Sequence, residues 1–122
     1  MLLILGVMKI IFKNPYITAE TKIRMLQRWI LVHSYIYYVK DSNIVYDSEY
    51  DKNTQQLLKL MKENPKTKTE FSYVFKNFES GTGFYLYSSL KPEHQELISR
   101  DGNLAYNLFN ENRRKNEKWK IL

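Results

Sequence analysis

Apolar residues recur at three- and four-residue intervals from Ala19 to about Val39. Ile23, Leu26, Ile30, His33 and Tyr37 form one stripe, and Met25, Trp29, Val32 and Ile36 form its neighbour. This spacing predicts an amphipathic helix, and two adjacent stripes predict one that is buried over a wide face. Thr18 stands where an N-cap belongs, and Glu20 is placed in the first turn where the helix dipole favours an acid. Asp41, Ser42 and Asn43 form a turn cluster, after which the apolar Ile44 and Val45 fold back towards the first helix. A second helix is predicted over 48–62, with Asp47 capping it through its carboxylate. Its apolar face is Tyr50, Thr54, Leu57, Leu58 and Met61, and Asn64–Pro65 ends it. Two helices with a short connection make a helical hairpin.

The flanks are less regular. Residues 1–13 read as extended, with Gly6 interrupting an apolar run and Met8 an alternative start. Residues 66–70 form a polar loop. Between 71 and 90 the pattern fits either helix or irregular structure (Phe71, Val74, Phe75, Phe78) or a β-hairpin around Ser80-Gly81-Thr82-Gly83, and the first of these is preferred. Pro92 and Glu93 open another helix, which Asp101-Gly102-Asn103 is expected to break or kink. Leu104, Tyr106, Leu108 and Phe109 form a last amphipathic segment before a basic tail. The expected fold is mainly α: a small single domain over 1–122, built on a helical hairpin at 19–64. A short N-terminal strand or β-hairpin is its only β element, and 66–122 is an added helical or irregular region.

Composition narrows the function classes. Of 122 residues, 43% are hydrophobic and 15% aromatic, ten of them Tyr, which suits a folded globule with half-exposed aromatic surface. The formal charge of +6 suits attraction to nucleic acid or an acidic protein, although a Lys-rich codon bias yields the same number. Absence of cysteine excludes disulfides, thiolate metal sites and cysteine nucleophiles. The two histidines, His33 and His94, make no ligand spacing, so no metal is expected. The apolar start lacks a basic leader and is too short to span a bilayer, so the expected location is the bacterial cytoplasm, without membrane contact.

The chemistry concentrates in residues 33–51, HSYIYYVKDSNIVYDSEYD. Five tyrosines and three aspartates fall there between two helical patterns. This stretch resembles the N-terminal Ia segment of bacterial NAD-dependent DNA ligases, roughly H-x-Y-x-Y-Y-V-x-D-x-x-x-x-D-x-E-Y-D, over about residues 25–64. The resemblance implies a site for the nicotinamide mononucleotide (NMN) half of NAD. Carried over position by position, Tyr37 and Tyr50 supply aromatic faces, Tyr38 holds a place that is Tyr or His in the family, and Asp47 and Asp51 supply carboxylates. A cationic pyridinium is attracted by aromatic faces and neutralised by nearby carboxylates. The competing structural roles are equally concrete: Asp47 as a cap, and Tyr37 with Tyr50 as helix-to-helix packing.

The departures from the family point away from catalysis. The ligase nucleophile is the lysine of Lys-x-Asp-Gly, whereas this chain reads Ser99-Arg100-Asp101-Gly102, so no adenylation is expected. The chain also has no room for the remaining ligase domains. With half of NAD unserved, the expected affinity is weak, about 0.1 to 10 mM. Weaker signals are the Ser80–Gly83 loop, which lacks a P-loop's context, and His94 beside Glu93 and Glu96. Arg113, Arg114, Lys115, Lys118 and Trp119 form a basic-aromatic tail able to touch phosphates or a partner. The leading expectation is a non-catalytic, phage-type, ligase-related protein that binds NMN or NAD. The alternatives are a Tyr-rich inhibitor of a host protein or defence system, of the anti-CRISPR kind, and a DNA-binding accessory protein.

Overall fold

Thr18 caps the first helix as its residue type predicts: its Oγ1 accepts from the Thr21 amide at 3.2 Å. Helix α1 then runs Ala19–Tyr38. A computed structural model describes residues 13–79 and 83–121, with side chains described as far as residue 115. The expected N-terminal strand therefore lies outside the described residues, as does most of the Ser80–Gly83 loop.

Helix α1 is the spine of the molecule. Every residue from Trp29 to Ile36 is buried, so the two stripes read from the sequence merge into burial around the whole circumference. Val39 caps the helix, and Ser42 donates its amide to the Ile36 carbonyl at 3.1 Å. Between them Asp41 takes φ of 49°, a left-handed conformation that Asp tolerates better than most residues. This reverses the chain and lets Ile44 and Val45 pack against the core.

Helix α2 runs Asp47–Glu63. Its start corrects one expectation. Tyr46 is the N-cap, and its carbonyl accepts from the amides of Glu49 and Tyr50 at 3.0 and 3.1 Å. Asp47 is thus the first helical residue and no side chain caps this end. Thr54 and Leu57 are buried on the face turned to α1, and Asn64 closes the far end through its contacts to the Leu60 carbonyl.

Helix α3 runs Pro92–Ile121 without a break, so of the two expectations at 101–103, a break or a kink, the break is corrected. Gly102 is needed there for packing. A Cβ on it would lie 2.4 Å from Tyr35 Cδ1, so only glycine lets α3 approach α1 at this point. On either side the contact is polar. Arg28 Nε donates to Asp101 Oδ2 at 2.8 Å, and the Tyr35 hydroxyl donates to Asn103 Oδ1 at 2.9 Å. The triplet that reads as a helix breaker is a docking point, and its helical cost of about 1 kcal/mol is outweighed by the contact.

Residues 71–90 form one short 3-10 turn, Ser72–Val74, followed by turns. The β-hairpin alternative is not formed among the described residues, and the irregular alternative holds. The segment is nonetheless part of the core: Phe71, Val74, Phe75, Phe78, Leu86 and Leu90 are all buried. Among the described residues, no helix is long and apolar enough to cross a membrane.

Candidate functional site

The end of α1, the 39–46 turn and the start of α2 enclose a cleft of about 240 Å³. Its lining is His33, Tyr37, Tyr38, Asn43, Val45, Asp47, Tyr50 and Asp51. The structure therefore brings together all five residues singled out for the nicotinamide site. Helical spacing explains the grouping: His33 and Tyr37 are four apart on α1, and Asp47 and Asp51 are four apart on α2, with Tyr50 beside them. Because Tyr46 caps α2 instead of Asp47, the Asp47 carboxylate is not spent on the helix end. It receives only a long contact from Asn43 Nδ2, at 3.5 Å.

The aromatic walls differ in how firmly they are held. Tyr50 is fixed from behind. Its hydroxyl is hydrogen-bonded to Ser34 Oγ at 2.9 Å, and its ring lies 6.0 Å from Trp29. Gly83 closes the rear, since a Cβ there would lie 2.7 Å from both Tyr50 Oη and Ser34 Oγ. Burial raises the Tyr50 phenol above its ordinary pKa against the pull of Ser34, with the Tyr38 and Asp51 charges adding to the rise. Tyr37 and Tyr38 stand at the mouth, edge to face at 4.7 Å, and each is about half exposed. Phe84 meets Tyr38 edge-on at 6.5 Å and extends the aromatic rim.

His33 is the residue that sequence reasoning passed over. It fell in the family register but was counted only as part of the apolar stripe. In the structure it is 4% exposed, its ring lies tilted against Trp29 with centroids 4.2 Å apart, and it lines the cleft. Its Nε2 is buried with no hydrogen-bond partner among the described residues. Desolvation lowers its pKa to about 4, so the ring is neutral at neutral pH. Asn43, expected in the turn, and Val45, expected to fold back onto α1, also line the cleft. The signal that could have found them is proximity in sequence: the eight-residue connection 39–46 joins two cleft-bearing helices and so borders the cleft.

The other sequence candidates lie elsewhere. His94 Nδ1 is bonded to the Tyr73 hydroxyl at 2.8 Å, and that hydroxyl also accepts from the Lys91 amide. His94 thus ties the 3-10 turn to the start of α3. Ser99, Arg100, Asp101 and Gly102 are interior residues of α3, two of them engaged with α1. Arg113, Arg114 and Lys115 are exposed on the last described turns of α3, with Lys115 3.7 Å from Glu111. They do not line the cleft. The side chains of Lys118 and Trp119 lie outside the described residues.

Comparison with known proteins bears directly on this cleft. Residues 17–72 match the model of the DNA ligase-like, N-terminal NAD+-binding domain. That span is ligase Ia-like. Over 90 residues, or 74% of the chain, the protein is also 32% identical to a DNA ligase of Lawsonia intracellularis (strain PHE/MN1-00). The chain spans 13% of that ligase's length. No solved structure matches. The Ia-like span contains every residue of the cleft lining, whereas Gly83 and Phe84, which back and extend the cleft, lie beyond it.

Proposed function

We propose that this protein binds the nicotinamide mononucleotide portion of a nicotinamide nucleotide, and does so without catalysis. The observation that carries this reading is the convergence of Tyr37, Tyr38, Asp47, Tyr50 and Asp51 on one open cleft inside a span matching an NAD+-binding family. Two further features fit the ligand. The unpartnered Nε2 of neutral His33 can serve an amide or ribose hydroxyl as donor or acceptor, according to tautomer. The cleft volume, about 240 Å³, lies below the range of about 300–1,000 Å³ typical of drug-sized ligands, so it suits a ring and its near sugar more than a whole dinucleotide.

In this reading Tyr50 is the rigid aromatic face and Tyr37 and Tyr38 the adjustable ones. Asp47 and Asp51 provide negative charge for a cationic ring. The non-catalytic part of the proposal is supported by the sequence: no Lys-x-Asp-Gly string occurs, and the nearest approximation to it is spent on helix packing. A pyridine nucleotide would be held, not cleaved.

Titration calorimetry with NMN and NAD tests this. The expected dissociation constants are about 0.1 to 10 mM. Asp47→Asn and Tyr50→Ala should each weaken binding at least about tenfold while circular dichroism stays unchanged. No heat with either nucleotide at millimolar concentration would remove the proposal.

A second reading is favoured by the exposed rim of Tyr37, Tyr38, Val39 and Phe84, a surface of the kind that anchors protein interfaces. Here a host protein would cover the cleft mouth, as an inhibitor's target would. It is distinguished by co-purification that survives excess NMN and is lost in Tyr38→Ala/Phe84→Ala.

A further inference from the structure

A second cleft, of about 490 Å³, lies at the other end of the hairpin. It is framed by the first half of α1, the end of α2, the 64–72 loop and the approach to α3. Its floor is apolar, with Ile23 and Met61, and three lysines border it: Lys68, Lys76 and Lys91. The single acid in the lining is Glu70, which is already engaged by Arg24 at 2.9 Å. Lys91 rests over the Tyr73 ring, 5.1 Å from its centre. The cleft thus carries net positive charge over an apolar base.

Gln27 gives the cleft a buried polar group. It is 0% exposed, and its Oε1 accepts a short hydrogen bond from the Thr69 hydroxyl. Thr69 Oγ1 also accepts from the Phe71 amide and lies 3.3 Å from Ser72 Oγ; with the Thr69 hydroxyl donating to Gln27 Oε1, the Gln27 Nε2 is turned away from Thr69. That Nε2 is buried with no partner among the described residues. An amide N–H left unpaired costs free energy that a ligand oxygen would recover.

We propose that this cleft is a binding site for a small phosphorylated molecule with an apolar or aromatic body. The lysines supply charge for a phosphate dianion, Gln27 a fixed donor, and Ile23 with Met61 a surface for the body. Lys76 and Lys91 lie beyond the Ia-like span, so the site draws on parts of the chain that the NAD+-binding family model does not cover. The two clefts use different residues and are independent.

Phenyl phosphate is a suitable probe, followed by amide NMR of the full chain. A saturable shift of the Gln27 side-chain amide is expected at millimolar probe, with phenol and inorganic phosphate each at least about tenfold weaker. Lys68→Gln/Lys76→Gln should weaken phenyl phosphate about tenfold, and added salt should do the same. Gln27→Met, which keeps the volume, should weaken it about fivefold. Three results would overturn the site: no saturable Gln27 shift up to tens of millimolar, equal affinity for inorganic phosphate, or an affinity indifferent to the lysine substitutions. Shifts confined to His33 and Tyr50 would also overturn it, by placing the probe in the other cleft.

Discussion

Helix α1 presents two sides that use the same residue type differently. Towards α3 stands Tyr35, 6% exposed, its ring over Gly102 and its hydroxyl on Asn103. Towards α2, two residues on, stands Tyr37, 51% exposed and lining an open cleft. On the first side polar and apolar groups are all matched: Arg28 with Asp101, Tyr35 with Asn103, ring against glycine. On the second side they are left over: an unpartnered His33 nitrogen, two carboxylates and half-bare aromatic rings. A closed helix contact satisfies its polar groups internally. The one that does not is the one with room for a ligand.

The largest expected effect tests the unmatched side. The His33 pKa in the fold is about 4, against about 6.5 in the unfolded chain. Between these values the unfolded state binds more protons, so stability rises with pH across the window. It is fully present above about pH 6.5 and is lost as pH falls towards 4, beyond which both states are protonated. Between pH 7.5 and 4.5 this one group should remove about 2–3 kcal/mol. Urea unfolding at the two pH values measures it. His33→Phe should cut the drop by that amount. An equal drop in the variant would show that His33 is not held neutral.

The matched side should break next. Gly102→Ala gains about 1 kcal/mol of helix propensity but drives a Cβ into the Tyr35 ring, an overpacking that costs about 1–3 kcal/mol or more. The net expectation is a loss of up to about 2 kcal/mol in urea unfolding. In a Tyr35→Leu background the same substitution should become neutral or stabilising. If Gly102→Ala stabilises the wild-type chain, the close approach of α1 and α3 is not a constraint.

These contrasts also show what a linear reading can reach. The hairpin was legible because its signals are local: periodic apolar positions, Thr18, the 41–43 turn and Asn64–Pro65. The grouping of Tyr37, Asp47, Tyr50 and Asp51 was legible for the same reason, since helical spacing and a short turn bring them together. Gly102 was misread because its role depends on Tyr35, which is distant in the chain, and tertiary contact overrides propensity. The 71–90 segment gave no clear period because its buried residues sit in turns, where neither helical nor strand spacing applies. Asp47 was assigned a cap by residue type, yet the backbone of Tyr46 does that work. His33 was hidden by its place in an apolar stripe: burial and a place in the cleft lining coincide in it, and the unpartnered Nε2 is visible only in three dimensions.

The finest test compares Tyr35→Phe with Tyr37→Phe. Both substitutions remove one hydroxyl from α1 and leave the ring. For Tyr35 the hydroxyl is lost from a part-buried bond to Asn103 Oδ1, which leaves that oxygen without its donor. A cost of about 1 kcal/mol follows. Tyr37 is half exposed and its hydroxyl makes no hydrogen bond among the described residues, so its replacement should change stability by less than about 0.5 kcal/mol. Affinity for NMN should respond in the opposite sense: Tyr37→Phe keeps the aromatic face and alters binding only by what the hydroxyl contributes, whereas Tyr35→Phe leaves binding untouched. If Tyr35→Phe weakens NMN binding while sparing stability, the two sides of α1 are coupled, and the division between a closed side and an open one fails.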